Sequence, residues 1–241
     1  MQRYFALNID DNQIYLDSGD VFHLTKVMRA NIGTRLIAIK DKPYLGEIIS
    51  LNPFIIKNLG VNEEMNRELD VDVTLFFALA KGDKIDFVIQ KATELGVKNI
   101  VLIKTEHCVV KMSEEDLKRK ISLRYQKIMK EAAEQSERLI IPNLLGVYDI
   151  KHIPTNLLAD INLVCYERCD DTSIHIPLEK NTKSISVLIG PEGGLTKDEV
   201  NHLLNNKFQI LSLGKTILRT ETAAVAALSM IGMVINNENN I

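Results

Sequence analysis

The chain has 241 residues, of which 46% are hydrophobic and 25% charged, with a net charge of −3; this suits a soluble globular protein of one large domain or of a small domain joined to a medium one. No apolar run is long enough to span a bilayer, Asp10 and Asp11 interrupt any leader-like N-terminal segment, and three cysteines are too few for a disulfide framework, which together point to the cytoplasm. Residues 1–68 carry eight basic and nine acidic groups and the remainder 21 and 23, so neither part is a basic module and any nucleic-acid contact must come from a local patch.

Along the first 60 residues, RYFAL (3–7), TRLIAIK (34–40), YLGEIISL (44–51) and PFIIKNL (53–59) are β-rich runs bounded by Gly, Asn or Pro. Between the first two, Ser18 is placed to cap a short helix with Val21, Leu24 and Met28 on one face, and Gly33 follows as a breaker. This outlines a small β-barrel-like domain over residues 1–68, with the polar stretch 61–70 as a linker. A second domain, 69–241, alternates strands and helices. VDVTLFFALA (71–80) reads as a strand buried on both faces. Ile85, Val88, Ile89, Ala92 and Leu95 then recur at helical spacing, and Gly96 stops the helix. NIVLI (99–103) is the next strand. Ser113 and Asp116 resemble a capping box opening a long helix with Leu117, Ile121, Tyr125, Ile128 and Ala132 on one face. INLVCYE (161–167), SISVLIG (184–190) and FQILSLG (208–214) are further strands, and a last helix starts near Thr220. Such alternation implies an α/β fold with a parallel, helix-covered sheet.

Ligands of open α/β sheets bind at the carboxyl ends of strands, and two glycine-bearing loops fall there. In IGPEGGLTKDE (189–199), Pro191 fixes a turn, Gly193 and Gly194 let backbone approach a ligand, and Thr196 with Glu199 forms a capping box. The loop lacks both a GK[ST] ending and a GxGxxG pattern, so neither a phosphate loop nor a nicotinamide site is supported. In LGKTILRTETAAVAAL (213–228), Gly214 ends a strand, and Ala223, Ala224, Ala226 and Ala227 suit a closely packed helix. A cap and the helix dipole account for Thr220, Thr222 and Glu221, but an arginine at the positive end of a helix is disfavoured. Arg219 therefore reads as serving a ligand.

These loops, with HLTKVMR (23–29), KGDKIDFVIQKATELGV (81–97) and EAAEQSERLIIP (131–142), resemble in order and over essentially the whole chain the ribosomal RNA small subunit methyltransferase E family of the SPOUT superfamily. The resemblance implies a PUA-like N-terminal β-barrel that binds RNA (1–68), and a C-terminal α/β domain with a deep trefoil knot (69–241). It further implies a homodimer, S-adenosyl-L-methionine as cofactor, and N3 of a uridine in 16S rRNA near the decoding site as acceptor, in free rRNA or the assembled small subunit. Methylation of another RNA, or a ribosome-binding protein that has lost catalysis, are the competing readings.

Within that resemblance, Leu188, Ile189, Gly190, Glu192, Gly193, Gly194, Leu211, Leu213, Gly214, Ile217 and Leu218 are expected to hold the cofactor. Methyl transfer to N3 needs an in-line arrangement and stabilisation of the developing anion. Arg219 is the candidate for the anion, with Glu221 orienting it or taking the proton. Arg3, Lys26, Arg29, Lys81, Lys84 and Arg138 are candidates for phosphate contacts. The sequence departs from the family pattern at Thr216, where an Arg is usual, and at Glu137, where a Gly is usual. Cys165, Cys169 and His175 do not make a recognisable metal site, and Cys165 reads as core; His23 and His107 read as structural.

Overall fold

The computed structural model describes residues 1–63, 66–110, 115–116, 119, 124–167 and 176–238. Two compact units emerge: Met1–Glu68 with Ala133–Ile140, and Leu69–Ala132 with Ile141–Ile241.

The first unit is built on a six-stranded sheet from β1 (Gln2–Phe5), β2 (Asn8–Ile9), β3 (Gln13–Tyr15), β4 (Arg35–Ile39), β5 (Pro43–Leu51) and β6 (Phe54–Val61), in the order β1-β4-β5-β6-β3-β2. Only the β1–β4 pair is parallel. Tyr4, Ile14, Leu36, Ala38, Ile48 and Ile56 alternate inward from these strands and meet Leu24 in one cluster. Helix α1 (Ser18–Phe22) is capped by Asp17, whose carboxylate accepts from the Asp20 amide, rather than by Ser18. The chain continues as a π-turn, His23–Val27, which breaks the expected 3.6-residue periodicity. Leu24 is buried as expected, but Met28 is exposed. His23 is structural in its contacts: its Nδ1 hydrogen-bonds the Tyr4 hydroxyl at 2.8 Å.

In the second unit, β7 (Asp72–Ala78), β8 (Asn99–Lys104), β9 (Asn143–Asp149), β10 (Ile161–Cys165), β11 (Ser184–Ile189) and β12 (Phe208–Leu211) form one sheet in the order β12-β10-β11-β7-β8-β9. Every pairing is parallel, and both faces are covered. On one face, Val73, Leu75 and Phe77 of β7 and Ile185, Val187 and Ile189 of β11 pack with α2 (Lys84–Glu94) and with the alanine-rich start of the last helix, Thr220–Glu238. On the other, Phe76 and Leu188 pack with Val200 and Leu203 of the helix Lys197–Asn205. Burial on both faces is why these strands read as unbroken apolar runs.

One further helix, α3 (Gln126–Gln135), precedes β9; the helix Lys197–Asn205 is α4 and the helix Thr220–Glu238 is α5. Tyr125 and Ala132 are buried as the helical spacing predicts, but Ile128 is only half-buried and its neighbour Met129 takes the buried place; Ser113, Leu117 and Ile121 lie outside the described residues. No helix among the described residues is long and apolar enough to cross a membrane.

Candidate functional site

The strand order places the carboxyl ends of β10, β11 and β12 side by side, and the loops leaving them enclose a cavity of about 880 Å³ within the second unit. That volume suits a nucleoside-sized or somewhat larger ligand. Both glycine-bearing loops line it. Gly190, Pro191, Glu192, Gly194 and Leu195 come from the first, and Ser212 to Thr220 with Ala223 from the second.

Local chemistry fixes both loops. After β11 the chain turns at Pro191, with the Gly194 amide donating to the Pro191 carbonyl at 2.9 Å. Gly194 has φ +73, a conformation costly for other residues, and a Cβ on Gly193 would sit 2.9 Å from the Cβ of His107. His107 Nδ1 in turn hydrogen-bonds the Gly194 carbonyl at 2.9 Å, so the β8–α3 connection braces this loop. Thr196 and Glu199 form the expected reciprocal capping box. The second loop is joined to the first by the Thr220 hydroxyl, which donates to the Gly190 carbonyl at 2.6 Å. Thr220 is thus the first residue of α5, with its hydroxyl proton directed across the site.

Most of the expected cofactor residues converge: Ile189, Gly190, Glu192, Gly194, Leu213, Gly214, Ile217 and Leu218 all line the cavity. Leu188, Gly193 and Leu211 do not. Leu188 points to the opposite face of the sheet, into the cluster with α4; Leu211 is spent in the core; and the side-chain position of Gly193 faces His107. Sequence reasoning missed Tyr166, Glu167 and Ser212, which follow β10 and β12 directly and line the same cavity. A rule that strand-end residues of neighbouring parallel strands share a site would have found them. Cys165 also lines it, while still packing against the core, and burial pushes its thiol up to about 12. Cys169 and His175 lie outside the described residues.

Three charged groups meet at one side of the cavity. Lys84, the first residue of α2, places its ammonium 3.1 Å from Glu192 and 3.2 Å from Glu221. Glu192 also receives the Lys81 amide at 3.4 Å. Burial acts to raise Glu192, but its own backbone amide, Lys84 and the Lys81 amide outweigh this and hold it below the usual carboxylate range. Glu221 is held low by its own backbone amide against burial, then by Lys84 and Arg219. Lys84 is raised, first by Glu192 and then by Glu221, against the opposing effect of burial. Glu221 Oε2 is buried, with the Lys84 ammonium as the cation beside it. Arg219 lies exposed at the cavity mouth.

The candidate phosphate contacts separate. Lys26, Arg29 and Lys81 are exposed, and Arg29 holds a left-handed φ of 52° at the end of the π-turn. Arg3 and Arg138 are buried at 8% and 2% exposure, and each meets a carboxylate inside the first unit: Arg3 faces Glu137 at 3.5 Å and Arg138 faces Glu68 at 2.6 Å. Burial and pairing set both apart from the exposed cations. Lys84 is drawn into the cavity wall by its two carboxylates.

A family model described as an RNA methyltransferase domain matches residues 67–232. Ribosomal RNA small subunit methyltransferase E of Bacillus subtilis (strain 168) is 34% identical over 96% of both chains, and the protein of that name from Rickettsia conorii is 30% identical over 93% of this chain and 91% of its own. Among solved structures, ribosomal RNA small subunit methyltransferase E from Neisseria gonorrhoeae, bound to S-adenosyl methionine, superposes with a TM-score of 0.82 at 28% identity over 97% of this chain and 98% of that one. A Legionella pneumophila methyltransferase in complex with SAM superposes with a TM-score of 0.85 at 27% identity, with the same coverage.

Proposed function

Because the chain belongs to the ribosomal RNA small subunit methyltransferase E family, we propose that it is an S-adenosylmethionine-dependent rRNA methyltransferase whose acceptor is N3 of a 16S rRNA uridine near the decoding site. The observation that carries this reading is the single cavity bounded by both strand-end loops, in a fold whose relatives from N. gonorrhoeae and L. pneumophila hold that cofactor.

The residues fit such a ligand. S-adenosylmethionine carries no phosphate, and this cavity offers backbone, apolar side chains and carboxylates. The Glu192 carboxylate on the cavity wall can accept from an ammonium or hydroxyl donor. Ile189, Gly190, Glu192, Gly194, Leu213, Gly214, Ile217 and Leu218 are the proposed cofactor contacts. The bound cofactor supplies an electrophilic methyl group. Arg219 stabilises the anion that develops on the uracil ring as N3 gives up its proton to solvent. Glu221, held ionised, orients Arg219; its depressed basicity makes it a poor proton acceptor.

In this reading residues 1–68 are a PUA-like β-barrel domain that binds RNA, and 69–241 the methyltransferase domain. Lys26, Arg29 and Lys81 are the remaining phosphate contacts. The knot belongs to the same reading: β12 pairs with β10 while α5 returns to pack against β11 and α2, a path in keeping with a threaded chain. So do the homodimer, 16S rRNA as substrate, free or in the assembled small subunit, and the cytoplasmic location.

The test is primer extension on 16S rRNA after incubation of small subunits or naked rRNA, each lacking the modification, with the protein and S-adenosylmethionine. An N3-methyl group blocks base pairing and stops the polymerase, so a new stop at a uridine in the decoding region is expected. Methyl incorporation without such a stop overturns the N3 assignment, and incorporation only into another RNA overturns the substrate.

A further inference from the structure

A lysine at the first position of a helix faces the positive end of the helix dipole and ordinarily stays in solvent. Lys84 does otherwise. Its side chain is 30% exposed, and its one ammonium reaches Glu192 at 3.1 Å and Glu221 at 3.2 Å. The three residues belong to three elements: the start of α2, the loop after β11, and the first turn of α5. Glu192 and Glu221 therefore present like charges toward the same place, on two loops that share no ladder of backbone hydrogen bonds. Without a cation between them the carboxylates repel, and the Thr220–Gly190 hydrogen bond is a second polar link between the loops.

We propose that Lys84 is a positioning residue that joins the two cofactor loops into one site through Glu192 and Glu221, rather than a contact for RNA phosphate. The inference rests on the methyltransferase reading. Lys84 sets the distance between the two loops and keeps both carboxylates directed at one centre, so that Glu221 holds a fixed relation to Arg219. Lysine suits this task because an ammonium is a compact charge that two carboxylates can share from different directions, whereas the fork of an arginine favours one carboxylate held by two bonds.

The experiment measures S-adenosylmethionine binding by calorimetry and steady-state methylation of small subunits for the unsubstituted protein and for Lys84→Met, Lys84→Arg, Glu192→Gln and the double variant Lys84→Met/Glu192→Gln. Lys84→Met is expected to weaken cofactor binding about tenfold, the order expected when a charge-assisted contact is lost. It should raise the KM for the cofactor more than it lowers kcat, and leave the KM for RNA unchanged. Lys84→Arg is expected to recover part of the loss. Because Lys84 acts through Glu192, the two single losses are expected to be non-additive in the double variant. Unchanged cofactor affinity in Lys84→Met, additive losses, or an increase confined to the KM for RNA each overturns the proposal. Circular dichroism checks the fold of every variant, and if Lys84→Met does not fold, failure of Glu192→Gln to weaken cofactor binding overturns it instead. Absence of cofactor binding by the unsubstituted protein overturns the methyltransferase reading itself, an outcome separate from all of these.

Discussion

The Thr220 hydroxyl donates to the Gly190 carbonyl at 2.6 Å, joining the first residue of α5 to the end of β11. Thr220 is 6% exposed, so the carbonyl has little access to water if the hydroxyl is removed, and a buried acceptor left unsatisfied costs about 1–3 kcal/mol. Thr220→Val keeps the shape of the side chain and deletes the donor. It is expected to weaken S-adenosylmethionine binding by roughly tenfold, while Thr220→Ser stays within about threefold of the unsubstituted protein. Isothermal titration of the three proteins measures this. Equal affinities for Val and Thr mean that the bond does not set the geometry of the site.

Arg219 sits exposed at the mouth of the cavity, next to Thr220 and near Glu221. A group that acts on charge present only in the transition state changes kcat and leaves cofactor affinity alone. Arg219→Ala is expected to lower kcat by about 100-fold or more, the scale for losing one donor to a developing anion, with cofactor binding within about twofold. Single-turnover methylation and calorimetry together check it. Retained methylation with normal rRNA binding removes Arg219 from the chemistry.

Glu192 and Glu221 are both held below the ordinary glutamate value of 4.5. A carboxylate depressed in the folded protein contributes stability above its unfolded pKa and loses that contribution as pH falls through the folded value. Their ionised forms are therefore fully present from about pH 5.5 upward. Cofactor affinity is expected to be flat across neutral pH and to fall only in the region below pH 4.5. Any rise of kcat with pH above 6 then reports another ionisation, such as that of the uridine N3 proton. A limb of the cofactor-affinity profile centred near neutrality would contradict these assignments.

Glu199 is 1% exposed and serves two segments. One carboxylate oxygen accepts the Thr196 amide at 2.9 Å, closing the cap of α4, and the other accepts the Glu106 amide at 2.8 Å beyond β8. Glu199→Ala removes these bonds, and that from the Thr196 hydroxyl at 3.2 Å, and leaves their donors to find water. A destabilisation of about 2–4 kcal/mol is expected, from loss of the cap and of a second charge-assisted bond. Urea denaturation measures it, and a change under about 1 kcal/mol would show that water replaces the carboxylate without penalty.

The strands of the second unit were legible because burial on both faces leaves an unbroken apolar signature, as in residues 71–80. The capping box at Thr196 and Glu199 was legible because it is local. What was not legible depends on contacts distant in the chain. Periodicity shows that Leu188 and Ile189 face opposite ways, but it cannot say which face the cavity adjoins; the Leu188 side chain packs on the far face, with α4. The polar face of EAAEQSER gave no sign that residues 133–140 belong with the first unit. There the Glu134 carboxylate accepts the Phe5 amide at 3.0 Å and Arg138 pairs with Glu68. Lys84 looked like a surface cation because its partners are far along the chain. The short strands β2 and β3 and the π-turn after α1 carry too few residues to establish a period.

Glu137 stands where the resembling family usually has Gly, and its φ of 61° lies in the left-handed region. A side chain there costs about 1–2 kcal/mol, offset here by ion pairs to Arg67 at 2.7 Å and Arg3 at 3.5 Å. Since the Glu137 and Arg67 side chains are 38% and 52% exposed, solvent screening limits that pair to less than about 1 kcal/mol. Substitution by Gly removes the backbone cost and the pairs together, and it adds about 0.5–1 kcal/mol of unfolded-chain entropy. Substitution by Ala removes the pairs but keeps the cost. Glu137→Gly is therefore expected within about 1 kcal/mol of the unsubstituted protein, and more stable than Glu137→Ala by a similar margin. Urea unfolding of the three proteins orders them. A Gly variant less stable than the Ala variant would mean that Glu137 does not hold this backbone conformation in solution.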